Sequence, residues 1–115
     1  MEFLFFIATD PEAEPYSEAG GLTIDEWVDE MTRRRVSITG DRLRPPEHAR
    51  TVRVRGEQAI VTDGPFTESK EWIAGYDVIE CADLDEAIEI ASKHPMARFG
   101  RIEVRRAWPL GAPDE

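Results

Sequence analysis

The sequence has little of several features that mark common functional classes. Cys81 is the only cysteine among 115 residues, so the chain can form no internal disulfide and has no paired-thiol metal or redox motif. Lysine and arginine number 14 against 24 aspartates and glutamates, which gives a formal net charge of −10. Because an acidic surface repels phosphate backbones and anionic lipid, this composition argues against direct binding of nucleic acid or of a membrane surface.

Long hydrophobic runs are also absent. The longest covers residues 3–8, far short of the roughly 20 residues that a membrane-spanning helix needs. It follows Met1-Glu2 without the basic stretch of a secretory signal. No glycine-rich phosphate loop, nucleophile elbow or metal-ligand pattern occurs. We therefore predict a cytoplasmic protein without metal or cofactor, and kinase, hydrolase and metalloenzyme functions are disfavoured.

The composition that is present fits one globular domain over residues 1–115. Hydrophobic residues make up 41% and charged residues 33%, which is unlike a disordered tail. A chain of this length buries enough surface to form a single core without disulfides or metals.

The first half of the chain predicts a strand, a helix and a hairpin. The apolar run at residues 3–8 is typical of a buried strand. Thr23 and Glu26 form a capping-box pattern at the start of a helix that ends near Arg35. Gly40 is interpreted as the end of this unit and residues 42–50 as a loop. Residues 51–62 alternate as a hairpin around Gly56-Glu57, a pair that favours a type II′ turn.

The second half predicts a strand, a helix and a strand. Ile73 to Glu80 has the composition of a strand. Asp83 is the N-cap of the next helix, which His94 and Pro95 close; there His94 is interpreted as a cation at the negative end of the helix dipole. Residues 101–105 alternate as the last strand.

This element order predicts an α+β fold, specifically a ferredoxin-like two-layer sandwich with its helices on one face of a mostly antiparallel sheet. The other sheet face would then expose apolar side chains to water. Two such faces packed together would cover it, so we predict a homodimer.

The segment from Asp63 to Glu71 is the most distinctive part of the chain. Gly64 permits a positive φ, and Pro65 stiffens the backbone, so together they predict a sharp corner. Glu68, Lys70 and Glu71 follow the corner closely. The segment is either a rigid turn with a solvated charge cluster or part of a functional site, and the residues alone favour the rigid turn.

The same segment resembles the hallmark of the YCII-related family, in the subgroup named for its Asp-Gly-Pro-Phe motif. The similarity continues in Gly75-Tyr76, in residues 84–87 and in residues 103–105, and so covers essentially the whole chain. Arg106 departs from the subgroup, which commonly has proline at this position. The resemblance implies a ferredoxin-like dimeric α/β barrel and leaves the biochemistry open.

Relatives in the wider family carry a histidine on the first helix, proposed to work with an aspartate. The first helix here has none, so that dyad is not carried over. His48 is interpreted as a loop residue and His94 as a helix-end residue.

The residues and the resemblance together give a candidate site for a small anionic ligand. Its chemistry would be cofactor-free proton transfer, such as isomerisation or elimination, and whether the protein is an enzyme stays open. The assignment is Glu71 and Asp63 as catalytic residues, with Lys70, Arg105, Glu68 and Tyr76 as binding residues. Asp63, Lys70 and Arg105 are expected to converge; an Arg–Glu ladder on an exposed sheet face is the alternative for the last strand.

A non-enzymatic interaction module is the alternative function. Members of the subgroup often resemble companions of extracytoplasmic-function sigma factors, so a sigma factor is the partner that the resemblance implies.

Overall fold

The computed structural model describes residues 1–65 and 71–113. The strands are β1 (Glu2–Ala8), β2 (Ser37–Arg42), β3 (Arg50–Arg55), β4 (Gln58–Asp63), β5 (Ile73–Glu80) and β6 (Arg101–Arg106). The helices are α1 (Ile24–Arg33), α2 (Leu84–Lys93) and the short α3 (Met96–Phe99), with one 3-10 turn at Pro46–His48.

Four strands form the main sheet in the order β2-β5-β1-β6, and every neighbouring pair is antiparallel. The two halves β1-α1-β2 and β5-α2-β6 each place a helix between two strands, and the two halves interleave in the sheet. This is the predicted ferredoxin-like α+β sandwich, so the fold class is confirmed.

The core lies between the sheet and the helices. Phe3, Phe5 and Ile7 point inward from β1, as alternation along a strand requires. Trp27 of α1 is buried against them, and its indole N–H donates to the carbonyl of Ile90 on α2 at 3.0 Å. This bond fixes the two helices to each other because a buried indole N–H needs an acceptor.

Both predicted helix starts are confirmed. The Thr23 hydroxyl accepts the Glu26 N–H at 3.2 Å, while the Glu26 carboxylate accepts the Thr23 N–H at 3.0 Å. Asp83 caps α2 by accepting the Glu86 N–H at 2.8 Å. Capping patterns within a few residues of the sequence thus predicted the starts of α1 and α2 correctly.

Residues 37–42 differ from the sequence prediction. They form β2, an edge strand whose six residues are all exposed, whereas Gly40 was expected to end a helical unit. An exposed edge strand carries no apolar alternation, so its pairing with β5 gives it its structure. Gly40 is therefore part of this edge strand, where it pairs with Asp77 of β5.

The predicted hairpin is present but stands apart from the main sheet. β3 and β4 form a separate two-stranded sheet. Gly56 has a φ of +63°, and Glu57 has no positive φ, which matches the predicted type II′ turn.

Gly64 has a φ of +90°, so the predicted corner is present. Gly64→Val is expected to lower the free energy of unfolding by about 1–2 kcal/mol, because a β-branched residue is strained at this φ. Gly21→Val is the matched control, since neither glycine has a neighbouring atom within 4 Å of an added Cβ and Gly21 has no positive φ. Urea denaturation of both variants measures the difference; an equal loss in the two would contradict the role of φ.

The sheet face opposite the helices carries half-buried apolar side chains at its centre. Leu4, Phe6 and Val78 lie on this outer face, which no element of the described chain covers. The homodimer that would cover it stays a prediction. None of the helices in the described residues is long and apolar enough to cross a membrane.

Candidate functional site

The residues predicted from the sequence are dispersed over several elements. Asp63 ends β4, where its carboxylate lies 3.1 Å from Arg50 Nε and its side chain is 88% exposed. Glu71 forms an ion pair with Arg101, whose Nε lies 3.8 Å from Asp10 Oδ2. Glu68 and Lys70 lie outside the described residues.

Arg105 lies away from the sheet end to which the corner leads. Both β5 and β6 run antiparallel to β1 and flank it, so both begin at the same end of the sheet: Ile73 and Arg101 are each opposite Ala8. Arg105 is opposite Leu4, four residues or about 13 Å along the strand. Arg105 was expected to meet the segment that leads from Asp63 into β5. The register places Arg101, and not Arg105, at the sheet end where β5 begins.

The outer sheet face holds the other predicted binding residues. Arg105 Nε lies 3.5 Å from Glu103 Oε2, with both side chains largely exposed. This pair is the Arg–Glu ladder considered as the alternative. The Tyr76 hydroxyl donates to Asp41 Oδ2 at a long 3.4 Å.

A second set of polar groups lies on the inner side of the sheet. Asp77 is opposite Phe5 in the β1–β5 register, so its side chain points toward the helices rather than to the outer face. His94 follows the last turn of α2 and packs edge-on against Trp27, with ring centroids 4.7 Å apart. The strand and the helix end thus bring a carboxyl and an imidazole together inside the sandwich.

The orientation of His94 follows from its hydrogen bond. The side chain is 5% exposed, and its Nδ1 accepts the Met96 N–H at 2.9 Å. A neutral ring in this position carries its proton on Nε2. Nε2 faces Asp77 Oδ2 at 3.9 Å, too far for a direct hydrogen bond.

Burial shifts the two pKa values in opposite directions. It raises the pKa of Asp77 to about 6, and the nearby Asp41 carboxylate contributes to the same rise. It lowers the pKa of His94 to about 4. At neutral pH the imidazole is therefore uncharged, and the helix-end cation expected from the sequence is Lys93 alone.

Gly40 provides the space that Asp77 occupies. A Cβ at position 40 would overlap Asp77 Oδ1 and would lie 2.8 Å from the Tyr76 carbonyl oxygen. The carboxyl therefore packs directly on the backbone of β2.

A cleft of about 240 Å³ opens beside His94. The loop at residues 17–22 forms one wall, and the end of α2 with α3 forms the other. Lys93 and Arg98 bring two cations to its lining, and Ser17 and Ser92 bring two hydroxyls. His94 is the residue that the cleft and Asp77 share.

The comparisons with known proteins assign the chain to a family. The YCII-related domain matches residues 1–110. The chain belongs to the YCII-related family. This confirms the resemblance at the level of the family, while the Asp-Gly-Pro-Phe subgroup stays a prediction.

One relative of this YCII-related chain is an uncharacterised protein of Rhizobium meliloti (strain 1021). The two are 48% identical over 66 residues, which is 56% of this chain and 53% of the relative. The chain thus spans about half the length of the curated relative it matches.

The sequence interpretation missed Asp77, although a signal was present. Gly75, Asp77 and Ile79 share one face of β5, and Ile79 is fully buried. A carboxyl at the inward position of a strand is unusual enough to indicate a special environment. In the described part of the chain, no group of three potential ligands is arranged for a metal ion.

Proposed function

We propose that this YCII-related protein binds a small organic anion between its sheet and helices and moves a proton on it, with Asp77 as the proton acceptor. The observation that carries the proposal is that the buried Asp77 faces His94 at 3.9 Å and that His94 in turn lines the cleft. Cofactor-free isomerisation or elimination is the class of chemistry that such a pair supports.

The pKa of Asp77 supports this role. A general base works best when its pKa lies near the working pH, and a carboxyl at about 6 meets that condition better than an exposed one. The same burial destabilises the fold once Asp77 ionises. A carboxyl kept where it weakens the fold is better explained by chemistry than by stability.

His94 serves in this proposal as a positioning residue. Its Nδ1 is occupied by the Met96 N–H, so this nitrogen is not free to take a proton from a ligand. Its Nε2–H faces Asp77 and defines the polar end of the site.

The two cations of the cleft are the groups that would hold the ligand's carboxylate. Lys93 Nζ lies 2.8 Å from Glu30, and Arg98 Nε lies 2.6 Å from Glu14. Both side chains are partly exposed. An entering anion would therefore replace a carboxylate that is already bound to the cation and partly exposed, namely Glu30 at Lys93 or Glu14 at Arg98.

The site predicted from the sequence is a second location for the same ligand. It comprises Glu71 and Asp63 as catalytic residues with Lys70, Arg105, Glu68 and Tyr76 as binding residues. Its described acidic members, Asp63 and Glu71, form ion pairs with Arg50 and Arg101. We therefore rank it below the site formed by Asp77, His94 and the cleft. Glu71→Gln tests it.

Deuterium exchange measured by NMR tests the proton transfer. With pyruvate as the probe in D₂O, the wild type is expected to accelerate exchange of the methyl protons. Asp77→Asn should abolish this acceleration, because an amide cannot accept the proton, whereas Glu71→Gln should retain it. The reverse pattern would assign the proton transfer to Glu71 and the site predicted from the sequence.

Ligand binding is followed separately on the backbone amide spectrum. Malonate and benzoate are expected to shift the amides of residues 92–99 in a saturable way, and Arg98→Gln should weaken binding at least tenfold. If the wild type binds none of the three probes at millimolar concentration, the small-anion function is wrong.

A non-enzymatic interaction module is a second candidate function. The outward faces of the helices favour it, since Ile24 and Val28 on α1 and Leu84 and Ile88 on α2 are about half exposed. Paired apolar residues on an acidic surface suit a basic protein partner. Co-purification with an extracytoplasmic-function sigma factor from the same genome, lost in Val28→Lys/Ile88→Lys, would support it.

A further inference from the structure

The loop on one side of the cleft is attached to the rest of the protein mainly through α3. We call residues 14–21 the cleft loop; they form no helix or strand, and all of them are exposed. In the part of the chain that the structure describes, every hydrogen bond from the cleft loop to another element is made with Arg98. The Tyr16 ring also contacts the Phe99 ring, with centroids 5.2 Å apart. The position of the loop therefore depends on two neighbouring side chains of α3.

Arg98 donates to the cleft loop from all three nitrogens of its guanidinium group. Nε and Nη2 donate to the two carboxylate oxygens of Glu14 at 2.6 and 3.3 Å, and Nη1 donates to the carbonyl of Ala19 at 2.8 Å. The two bonds to Glu14 form the bidentate arrangement by which a guanidinium group recognises a carboxylate. Glu14 thus occupies the fork that the carboxylate of a ligand would need.

Lys93, the other cation of the cleft, is less suited to exchange its partner. Its ammonium group donates to Glu30 at 2.8 Å, and Glu30 also accepts from Arg34 at 3.2 Å. The Glu30 side chain is 23% exposed, whereas that of Glu14 is 50% exposed. Displacing Glu30 would disturb the ion pairs between α1 and α2, but displacing Glu14 moves only an exposed loop.

We propose that Glu14 is a built-in competitor of the ligand, which occupies Arg98 in the free protein and is displaced, together with the cleft loop, by the ligand's carboxylate. This inference rests on the proposed small-anion function. The hydrogen bond from Arg98 lowers the pKa of Glu14, so Glu14 is ionised at neutral pH. Two carboxylates at one guanidinium group repel each other, so Arg98 holds either the loop or the ligand.

The competition also selects the class of ligand. Glu14 is tethered beside Arg98, which gives it a high effective concentration there. A free carboxylate that offers only the same two hydrogen bonds competes poorly, so the ligand needs a second contact. Leu22, Pro95 and Phe99 supply apolar surface in the lining of the cleft. The ligand class is therefore a carboxylate that carries an apolar body, such as an aromatic or branched aliphatic acid.

Titration of the wild type and of Glu14→Gln with sodium benzoate, followed on the backbone amide spectrum, tests the proposal. Glu14→Gln should bind benzoate about threefold more tightly, because an uncharged amide competes less well for the guanidinium group. In the wild type, amides of the cleft loop should shift with the same midpoint as those of α3. Their heteronuclear NOE should fall at saturation as the loop is released. Acetate, which has no apolar body, should bind both proteins more weakly than benzoate.

Glu18→Gln is the matched control, because it removes one negative charge from an exposed residue of the same loop. It should leave the benzoate affinity unchanged. The proposal is overturned if the wild type binds benzoate and Glu14→Gln binds it no more tightly than Glu18→Gln does, an outcome that leaves the small-anion function standing. A gain in Glu30→Gln without a gain in Glu14→Gln would assign the carboxylate to Lys93 and would also overturn it. If the wild type binds none of benzoate, malonate and pyruvate, the small-anion function itself fails, and the competition fails with it.

Discussion

Replacing Asp77 with Asn is expected to raise the free energy of unfolding at pH 8 by about 2–3 kcal/mol and to leave it nearly unchanged at pH 4. The side chain is 15% exposed, and its burial opposes the ionised form. Asparagine has the same shape and no charge, so it avoids the desolvation that the carboxylate suffers.

The direction follows from the pKa in each state. Asp77 has a pKa of about 6 in the fold, above the ordinary value of 3.8. The folded protein therefore binds the proton more tightly, and this contribution to stability is complete below pH 3.8. It is lost as the pH rises through about 6. The difference between variant and wild type should grow across this window and then level off.

His94 gives the opposite dependence, which must be separated from that of Asp77. Its pKa falls from 6.5 to about 4 in the fold, so stability is lost as the pH drops through this range. Because the Asp77→Asn protein keeps His94, the difference between the two proteins cancels much of the histidine's effect. The two side chains face each other, so their titrations are partly coupled.

Urea denaturation at closely spaced pH values measures the difference, and Asp29→Asn is the control. Asp29 is an exposed aspartate on α1, so its replacement should change stability little at any pH. Equal stabilities of wild type and Asp77→Asn at pH 8 would mean that Asp77 is not held in a desolvated site, and the proposed base would then be abandoned.

Local chemistry explains which parts of the fold were predictable. Thr23, Asp83 and Gly56 act through neighbours within a few residues, so their capping bonds and turn could be read from the sequence. β2 has no such signal, because its place depends on β5 across the sheet. The sequence could therefore indicate the sandwich but not the strand that carries Gly40.

The Asp77–His94 pair could not be predicted for the same physical reason. Asp77 and His94 are 17 positions apart and belong to different elements, so only tertiary packing brings them together and shifts their pKa values. The misplacement of Arg105 came from the direction of β6. The expectation that β5 and β6 both neighbour β1 was correct. Because both strands run antiparallel to β1, however, the residue of β6 that lies at the sheet end where β5 begins is Arg101.

Gly40→Ala is expected to destabilise the protein by about 3 kcal/mol. The added methyl group would overlap Asp77 Oδ1 and would lie 2.8 Å from the Tyr76 carbonyl oxygen and 2.9 Å from Asp77 Cγ. Gly40 has no positive φ, so the loss would come from contact with β5 and not from backbone strain. Gly21→Ala is the matched control, since nothing lies within 4 Å of its added Cβ.

A double-mutant cycle with Asp77→Ala assigns the loss to the carboxyl. Shortening the side chain at position 77 removes two of the three crowded atoms and leaves the Tyr76 carbonyl, so Gly40→Ala should cost clearly less in that background. Residues in direct contact show such coupling, whereas independent sites add. An equal loss in both backgrounds would mean that the carboxyl does not rest on Gly40. The contact between Gly40 of β2 and the carboxyl would then no longer account for how Asp77 is held facing His94.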